Sequence, residues 1–227
     1  MLALQSDLHG NHLLSALPYD EWQALAPHLE LVRLRAEQLL YDSGQRIHHV
    51  YFPTTAVISI LYMMENGGSV EVAAVGREGM TGVPVLTGGE AMPNRVQVQY
   101  AGFAYRMSAQ ALRLHFARSE RMQRLMLLYM HALLTQIAQM AACNRHHSLN
   151  KQLCRWLLIE VDRVDSYELA VTQQLISEML GVRREGVTEA AGKLHREGLI
   201  LHRRGHIRVL DRNGLEANAC ECYGLVK

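Results

Sequence analysis

From Ser119 to about Asn144 the chain carries neither glycine nor proline, and its apolar residues recur at helical spacing. Met122, Tyr129, Gln136 and Cys143 fall seven apart, and Met126, Leu133 and Met140 lie four beyond the first three. That is a seam of about three heptads, the signature of a helix that packs lengthwise against another. A second stripe, Leu127, Leu128, His131, Leu134, Ile137 and Ala138, leaves little of the helix polar. A helix apolar on two faces packs on its own domain with one and on a partner with the other. Met122, Met126, Tyr129, Leu133, Gln136 and Met140 are therefore expected at a homodimer interface. The alternative is a single helix fully buried in a monomer.

The segments before this helix read differently. Leu13 to Glu30 is expected to be a short helix, with Pro18 in its first turn, Asp20 and Glu21 near its N-terminal end, and Trp22, Leu25, Ala26 and Leu29 at helical spacing. From Leu31 to Met107 the pattern shifts to short runs of β-branched and aromatic residues. These are Val50 to Phe52, Ala56 to Tyr62, Val70 to Val75 and Val96 to Tyr100, with turn residues between them at 42–44, 66–68, 76 and 88–89. Many short strands at regular spacing predict a small barrel, sandwich or roll. Ala109 to Phe116 then forms a short helix that leads into the long one.

Beyond the long helix, Ser148 is placed to cap a helix from Leu149 to Val161. A charged loop around 162–168 follows. Residues 172–198 then read as helix, tight turn, helix. Thr172 caps the first, whose apolar face is Leu175, Ile176, Met179 and Leu180, and Gly181 supplies the turn. Val182, Val187, Ala190, Ala191 and Leu194 are expected to bury one side of the second helix. Its first residues, Arg183, Arg184 and Glu185, with Thr188 and Glu189, are left outward. Leu199 to Leu210 gives two alternating strands around Arg204-Gly205, a wing that presents Arg203, Arg204, His206 and Arg208.

In a helix-turn-helix, the N-terminal residues of the second helix reach base edges in the major groove. Arg can bond guanine O6 and N7 together, and Glu can accept from cytosine N4. The whole chain carries a net charge of only +1, which argues against indiscriminate coating of nucleic acid. Between Gly181 and Arg212, however, eight Lys or Arg stand against four Asp or Glu. The expected partner is double-stranded DNA.

With 227 residues, 49% of them apolar, the chain has ordinary globular composition and room for one large domain or two modest ones. No uninterrupted stretch of about 18 apolar residues occurs, so no membrane association is expected. Met1 to Asp7 lacks a basic start and is not expected to be a signal peptide. The four cysteines, Cys143, Cys154, Cys220 and Cys222, all lie in the last third and are read as reduced thiols. A cytoplasmic location follows from that reading. No phosphate-binding Gly-Lys-Ser/Thr, nucleophile elbow or His-Glu-x-x-His is present, so no enzyme activity is expected. The competing reading is a ligand- or redox-sensing protein that acts mainly through protein–protein contacts.

The order of helix, β-roll, long helix and winged helix resembles the cyclic-AMP-receptor/fumarate-nitrate-regulator (Crp/Fnr) family of bacterial transcription factors. The resemblance covers about residues 13 to 222. It is carried by the stretches beginning at Leu14 (LSALP), Leu40 (LYDSG), Val50 (VYFP), Val75 (VGREGMTG), Thr172 (TQQLISEMLGVRREGVTEA) and Gly198 (GLILHRRGHIRVLD). It implies an α+β fold: a cyclic-nucleotide-binding-like sensor β-roll over 1–117, a dimerisation helix over 118–145 and a winged helix-turn-helix DNA-binding domain over 146–227. It further implies a homodimer on an inverted-repeat operator, with RNA polymerase as a partner. The DNA-contacting residues would be Thr172, Gln173, Arg183, Arg184, Glu185, Thr188, Glu189, Arg203 and Arg204. The family's base-reading Arg-Glu pair resembles Arg184-Glu185. Cyclic-AMP receptors carry an arginine where this chain has Glu189, so the base pair read there is expected to differ.

The family's cyclic-nucleotide cassette needs a Gly-Glu pair and an Arg-Ser pair. Here the corresponding positions read Thr81-Gly82-Val83 and Asn94-Arg95-Val96. Met80, Thr81, Gly82, Arg95 and Val96 remain as a candidate effector pocket, in which Arg95 could hold an anion. Cyclic AMP in the usual pose is not expected. Oxygen-sensing relatives hold an iron–sulfur cluster on cysteines near the N-terminus, and this chain has none before Cys143, so that cluster is not expected either. Haem stays open because histidine and methionine are abundant. Cys143 with His146 and His147, and Cys220-x-Cys222, invite a zinc or redox reading. Cys143 holds a seam position and Cys220 and Cys222 lack a second pair, so no metal site is expected.

Overall fold

The computed structural model describes residues 10–226; the opening segment read above for a signal peptide lies outside them. The described residues fall into two compact units, 10–61 with 73–135, and 62–72 with 136–226.

The first unit begins with α1 (His12–Ser15) and α2 (Tyr19–Leu25), followed by a 3₁₀ turn at Ala26–His28. The sequence predicts one helix over this stretch. Pro18 divides it: with no N–H to give and an extended ψ of 152°, it stands at the N-terminal boundary of α2 instead of in its first turn. Asn11 fastens this segment to the sheet. It is fully buried, its Oδ1 accepts from Leu14 N, and its Nδ2 donates to the Pro53 and Gly79 carbonyls at 2.8 and 2.9 Å.

Seven strands follow: β1 (Glu30–Leu34), β2 (Leu39–Tyr41), β3 (His49–Pro53), β4 (Val57–Met63), β5 (Ser69–Val75), β6 (Arg95–Tyr100) and β7 (Gly102–Ser108). They form two sheets, ordered β1-β7-β3 and β2-β6-β4-β5. The ladders of β7 with β1 and β3, and of β6 with β2 and β4, are antiparallel. The alternation in the sequence sets which side chains turn inward. Val50 and Phe52 on β3, Ile58 on β4 and Val96 and Val98 on β6 are all essentially inaccessible. β1, β2 and β7 were not separable from the surrounding turns by sequence pattern. The burial pattern of β1 explains this for that strand: only Leu34 among its five residues is buried.

The helix α3 (Ala109–Arg118) is capped by Ser108, whose hydroxyl accepts from Ala111 N. It leads into α4 (Glu120–His146), the long helix that the heptads predict. By length and hydropathy alone α4 could cross a membrane. Its polar interruptions at His131, Thr135, Gln136 and Gln139 hide this from a search for an unbroken apolar run. Its inner face is packed as a globular helix is: Met122 and Met126 are 1% and 0% exposed.

In the second unit α5 (Leu149–Val164) ends at Asp165, which adopts a left-handed conformation with φ of 51°. Next come β8 (Glu168–Leu169), α6 (Gln173–Leu180), α7 (Arg184–Arg196), β9 (Ile200–Arg203), β10 (His206–Val209), α8 (Arg212–Asn218) and α9 (Cys222–Val226). The small sheet has the order β8-β10-β9. Trp156, Leu157, Ile176, Val187, Ala191, Leu194, Ile200 and Ile207 fill the core beneath it. A polar knot ties the C-terminal segment to α5. Arg212 donates to Asp162 Oδ1 at 2.7 Å and to the Tyr223 hydroxyl at 2.6 Å, and that hydroxyl donates to Asp162 Oδ2 at 2.6 Å.

Candidate nucleic-acid interface

Helices α6 and α7 are joined by the turn at Gly181, whose φ of +64° is the left-handed conformation that an L side chain resists. Thr172 caps α6 by accepting from Leu175 N at 3.1 Å. Gln173, the first residue of α6, reaches two other elements. Its Oε1 accepts from the Thr188 hydroxyl on α7 at 2.8 Å, and its Nε2 lies 3.4 Å from His202 Nε2 on β9. These contacts fix the angle between α6, α7 and the wing. Gln173 and Thr188 thus tie α6 to α7, a contact the sequence did not reveal.

Arg184 opens α7 and Arg183 stands at its N-terminal boundary. Val187, Ala190, Ala191 and Leu194 of the same helix are buried, as the periodicity predicts, whereas Val182 precedes the helix and is half-buried. The opposite side shows Arg183, Arg184, Glu185, Thr188 and Glu189 to solvent. Among the described residues, no hydrogen bond or ion pair engages the side chains of Arg183, Arg184, Glu185 or Glu189. The same holds for Arg203, the last residue of β9, and Arg204, in the tight turn between β9 and β10. Arg208 differs, being 3.7 Å from Glu168 on β8, an exposed and therefore weak pair. A helix N-terminus and a neighbouring strand turn that both offer free guanidinium groups match the chemistry of base edges and phosphates.

On the long helix, most of the heptad seam is covered within the single chain. Met122, Met126, Leu133 and Met140 are 9% exposed or less within a single chain. Tyr129 donates to the Met80 carbonyl at 2.7 Å and lies so close to Gly79 that a Cβ there would be 2.3 Å from its ring. Gln136 is half-buried, and Met140 Sδ accepts from Arg155 at 2.9 Å. The second stripe is the uncovered one: Leu127, Leu128 and Leu134 are 54%, 59% and 61% exposed. Both stripes have helical period, so spacing alone could not say which faces inward. The methionine-rich stripe is the one covered within the chain.

The candidate effector segment is tightly held. Met80, Thr81 and Val96 are fully buried in the core of the first unit. Thr81 N donates to Tyr51 O, and the Tyr41 hydroxyl lies 3.4 Å from Thr81 Oγ1. Gly82 takes a φ of +84°. Arg95 is occupied by Asp42, to which it donates from Nε and Nη2 at 3.1 and 3.2 Å. The guanidinium in turn holds the Asp42 carboxyl below the usual carboxylate range.

Sequence distance also concealed a cluster in the second unit. Cys143, His147, Cys220 and Cys222 converge, and their ligand atoms all lie within 4.8 Å of one another. Burial pushes the Cys143 thiol up to about 12. Cys220 and Cys222, which have no second pair nearby in sequence, lie beside Cys143 and His147 in three dimensions. The Cys-x-Cys spacing with a distant Cys-x₃-His was the available signal.

Residues 151–218 match the family model of the Crp-like helix-turn-helix domain. Among curated proteins none matches the chain significantly in sequence. The fold is shared with several solved structures. A protein described as a Crp/Fnr-family transcriptional regulator from Eubacterium rectale superposes with a TM-score of 0.75 at 16% identity, covering 92% of this chain and 97% of that one. FixK2 from Bradyrhizobium japonicum gives 0.73 at 15% identity, over 85% of this chain and 98% of its own. The c-di-GMP-responsive global regulator CLP of Xanthomonas campestris gives 0.71 at 14% identity, over 85% and 99%. The chain thus shares its fold, over most of its length, with solved Crp/Fnr-family transcription regulators, and its residues 151–218 form a Crp-like helix-turn-helix domain.

Proposed function

We propose that the chain acts as a homodimeric, sequence-specific transcription regulator that reads an inverted-repeat operator in double-stranded DNA. The observation that carries this reading is the unpartnered set of Arg184, Glu185, Arg203 and Arg204 on a helix N-terminus and a wing of the same unit. Arg184 and Glu185, with Glu189 one turn on, are assigned to base edges, and Arg183, Arg203 and Arg204 to phosphates. Thr172, Gln173 and Thr188 support the helix pair. The exposed stripe of α4, centred on Leu127, His131, Leu134 and Ala138, is assigned to the partner subunit. These four residues are spaced four, three and four, which is the heptad rhythm. RNA polymerase is the partner expected of such a regulator at a promoter, and the protein works in the compartment that holds the DNA. The sensor, dimerisation and DNA-binding functions are assigned to 1–117, 118–145 and 146–227.

Selection from a random-site DNA pool tests the reading. The expected outcome is a palindrome whose half-site centres lie about one helical turn, roughly 34–36 Å, apart. Recovery of no motif, or of a motif without two-fold symmetry, would overturn it.

The signal is assigned to something other than cyclic AMP. Arg95 is committed to Asp42, and Val83 stands where the cassette needs a carboxylate. Titration calorimetry of the nucleotide into the protein is expected to show no binding in the micromolar range. A heat of one site per subunit would reverse this assignment.

A further inference from the structure

We propose that Cys143, His147, Cys220 and Cys222 form a mononuclear zinc site that staples the C-terminal segment to the junction of α4 and α5. Cys143 is near the end of α4, His147 lies in the break before α5, and Cys220 and Cys222 flank Glu221 at the start of α9. All four belong to the second unit. The site is separate from the DNA-reading surface and stands whether or not that reading holds.

The geometry matches one tetrahedral ion. With zinc–sulfur bonds near 2.3 Å and zinc–nitrogen bonds near 2.0–2.1 Å, tetrahedral angles place two sulfurs about 3.8 Å apart and a sulfur and nitrogen about 3.6 Å apart. The Cys143 and Cys220 sulfurs are separated by 3.5 Å, and Cys222 Sγ lies 3.6 Å from His147 Nδ1. An iron–sulfur cluster spreads its ligands over two or more irons and needs a wider cage than the 4.8 Å limit here. Three thiolates and one imidazole are also the donor set of closed, structural zinc centres.

The surroundings are those of a built site. His147 Nε2 lies 3.2 Å from Glu221 Oε1, so Nε2–H donates to the carboxylate and the Nδ1 lone pair is left facing Cys222 Sγ at 3.6 Å. Carboxylate–histidine–metal triads fix the tautomer of a ligand in this way. Gln139 Nε2 donates to Cys222 Sγ at 2.8 Å, as an amide beside a metal-bound thiolate would. Arg155 supplies a second, independent observation. It is 1% exposed, donates from Nη2 only to a methionine sulfur, and has no partner for Nε or Nη1 among the described residues. A buried guanidinium without a carboxylate is costly. Its charge acts on Cys143. Three thiolates around a dication leave a net charge of −1, which Arg155 neutralises. Binding displaces the three thiol protons to solvent, with no change of oxidation state.

The test uses the full chain, purified under reducing conditions, with zinc measured by elemental analysis and native mass spectrometry. One zinc per chain is expected, together with a melting temperature about 10 °C lower after chelation. Cobalt(II) added to the stripped protein should give the charge-transfer and intense visible bands of a tetrahedral thiolate site. Cys222→Ser and His147→Ala should each lose the zinc, while Cys154→Ser, a buried cysteine outside the cluster, should keep it. Glu221→Gln should keep it with affinity about 10- to 100-fold weaker in a chelator competition, an outcome that needs no ligand to be removed. The proposal is overturned if the wild type carries no zinc and gives no cobalt thiolate bands. It is also overturned by zinc retained in both Cys222→Ser and His147→Ala, by iron with acid-labile sulfide, or by a native mass two hydrogens lighter that marks a Cys143–Cys220 disulfide.

Discussion

Leu134→Glu is expected to convert the dimer into a folded monomer and to cost at least a hundredfold in operator affinity. Leu134 is 61% exposed on the isolated chain, at the centre of the stripe that includes Leu127 and His131. Burying a leucine against a partner contributes about 1.5–3 kcal/mol, and two-fold symmetry counts each substitution twice. The loss is therefore about 3–6 kcal/mol per dimer before the cost of desolvating two carboxylates, or a 10²- to 10⁴-fold weaker association. Leu133→Glu is the internal comparison. Leu133 is only 9% exposed within its own chain, so a charge there should destabilise the fold itself and lower the denaturation midpoint. Sedimentation at micromolar concentration separates the two. A Leu134→Glu protein that remains dimeric while Leu133→Glu dissociates without loss of stability would restore the original seam.

That pair of leucines also marks where the sequence was legible and where it was not. Periodicity revealed α4, because a helix with no glycine or proline and two apolar stripes has few other ways to fold. It could not rank the stripes, because Met122 and Leu127 differ in what covers them, not in spacing. The reading helix was legible for a related reason. Gly181 must turn with positive φ, Val187 and Leu194 must be buried, and Arg184 and Glu185 fall on the remaining side without further assumption. The edge strand β1 was obscure because one buried residue in five gives no alternation to see. The helix α2 was mis-bounded because Pro18 fits the edge of a helix as well as its first turn. The Cys/His cluster was legible only in halves: Cys143 with His147 and Cys220-x-Cys222 each show in the sequence, but their convergence depends on the second unit folding between residues 143 and 220, which local pattern does not record.

Arg184→Ala is expected to flatten one symmetric position of the selected motif, whereas Arg203→Ala should leave the motif unchanged and weaken binding to all sequences alike. Arg184 begins α7, where a side chain can enter the major groove and bond a guanine twice, and among the described residues nothing else competes for its guanidinium. Loss of such a contact costs about 1–3 kcal/mol in each half-site, so about 2–6 kcal/mol across a symmetric operator. Arg203 ends β9 beside the wing turn, opposite His206, in a place suited to the DNA backbone and not to base edges. Removing it should lower the slope of log affinity against log salt by about one unit for each of the two wings. Thr188→Val gives a third pattern. It removes the hydroxyl that Gln173 accepts from, so α7 loses a brace to α6 without losing a base contact. Affinity should fall modestly at every operator position, with the salt slope unaltered. Selection with each variant, followed by salt titrations on the wild-type operator, distinguishes the three. If Arg184→Ala selects the wild-type motif while Arg203→Ala changes it, the wing reads bases, and α7 docks on the backbone instead of in the groove.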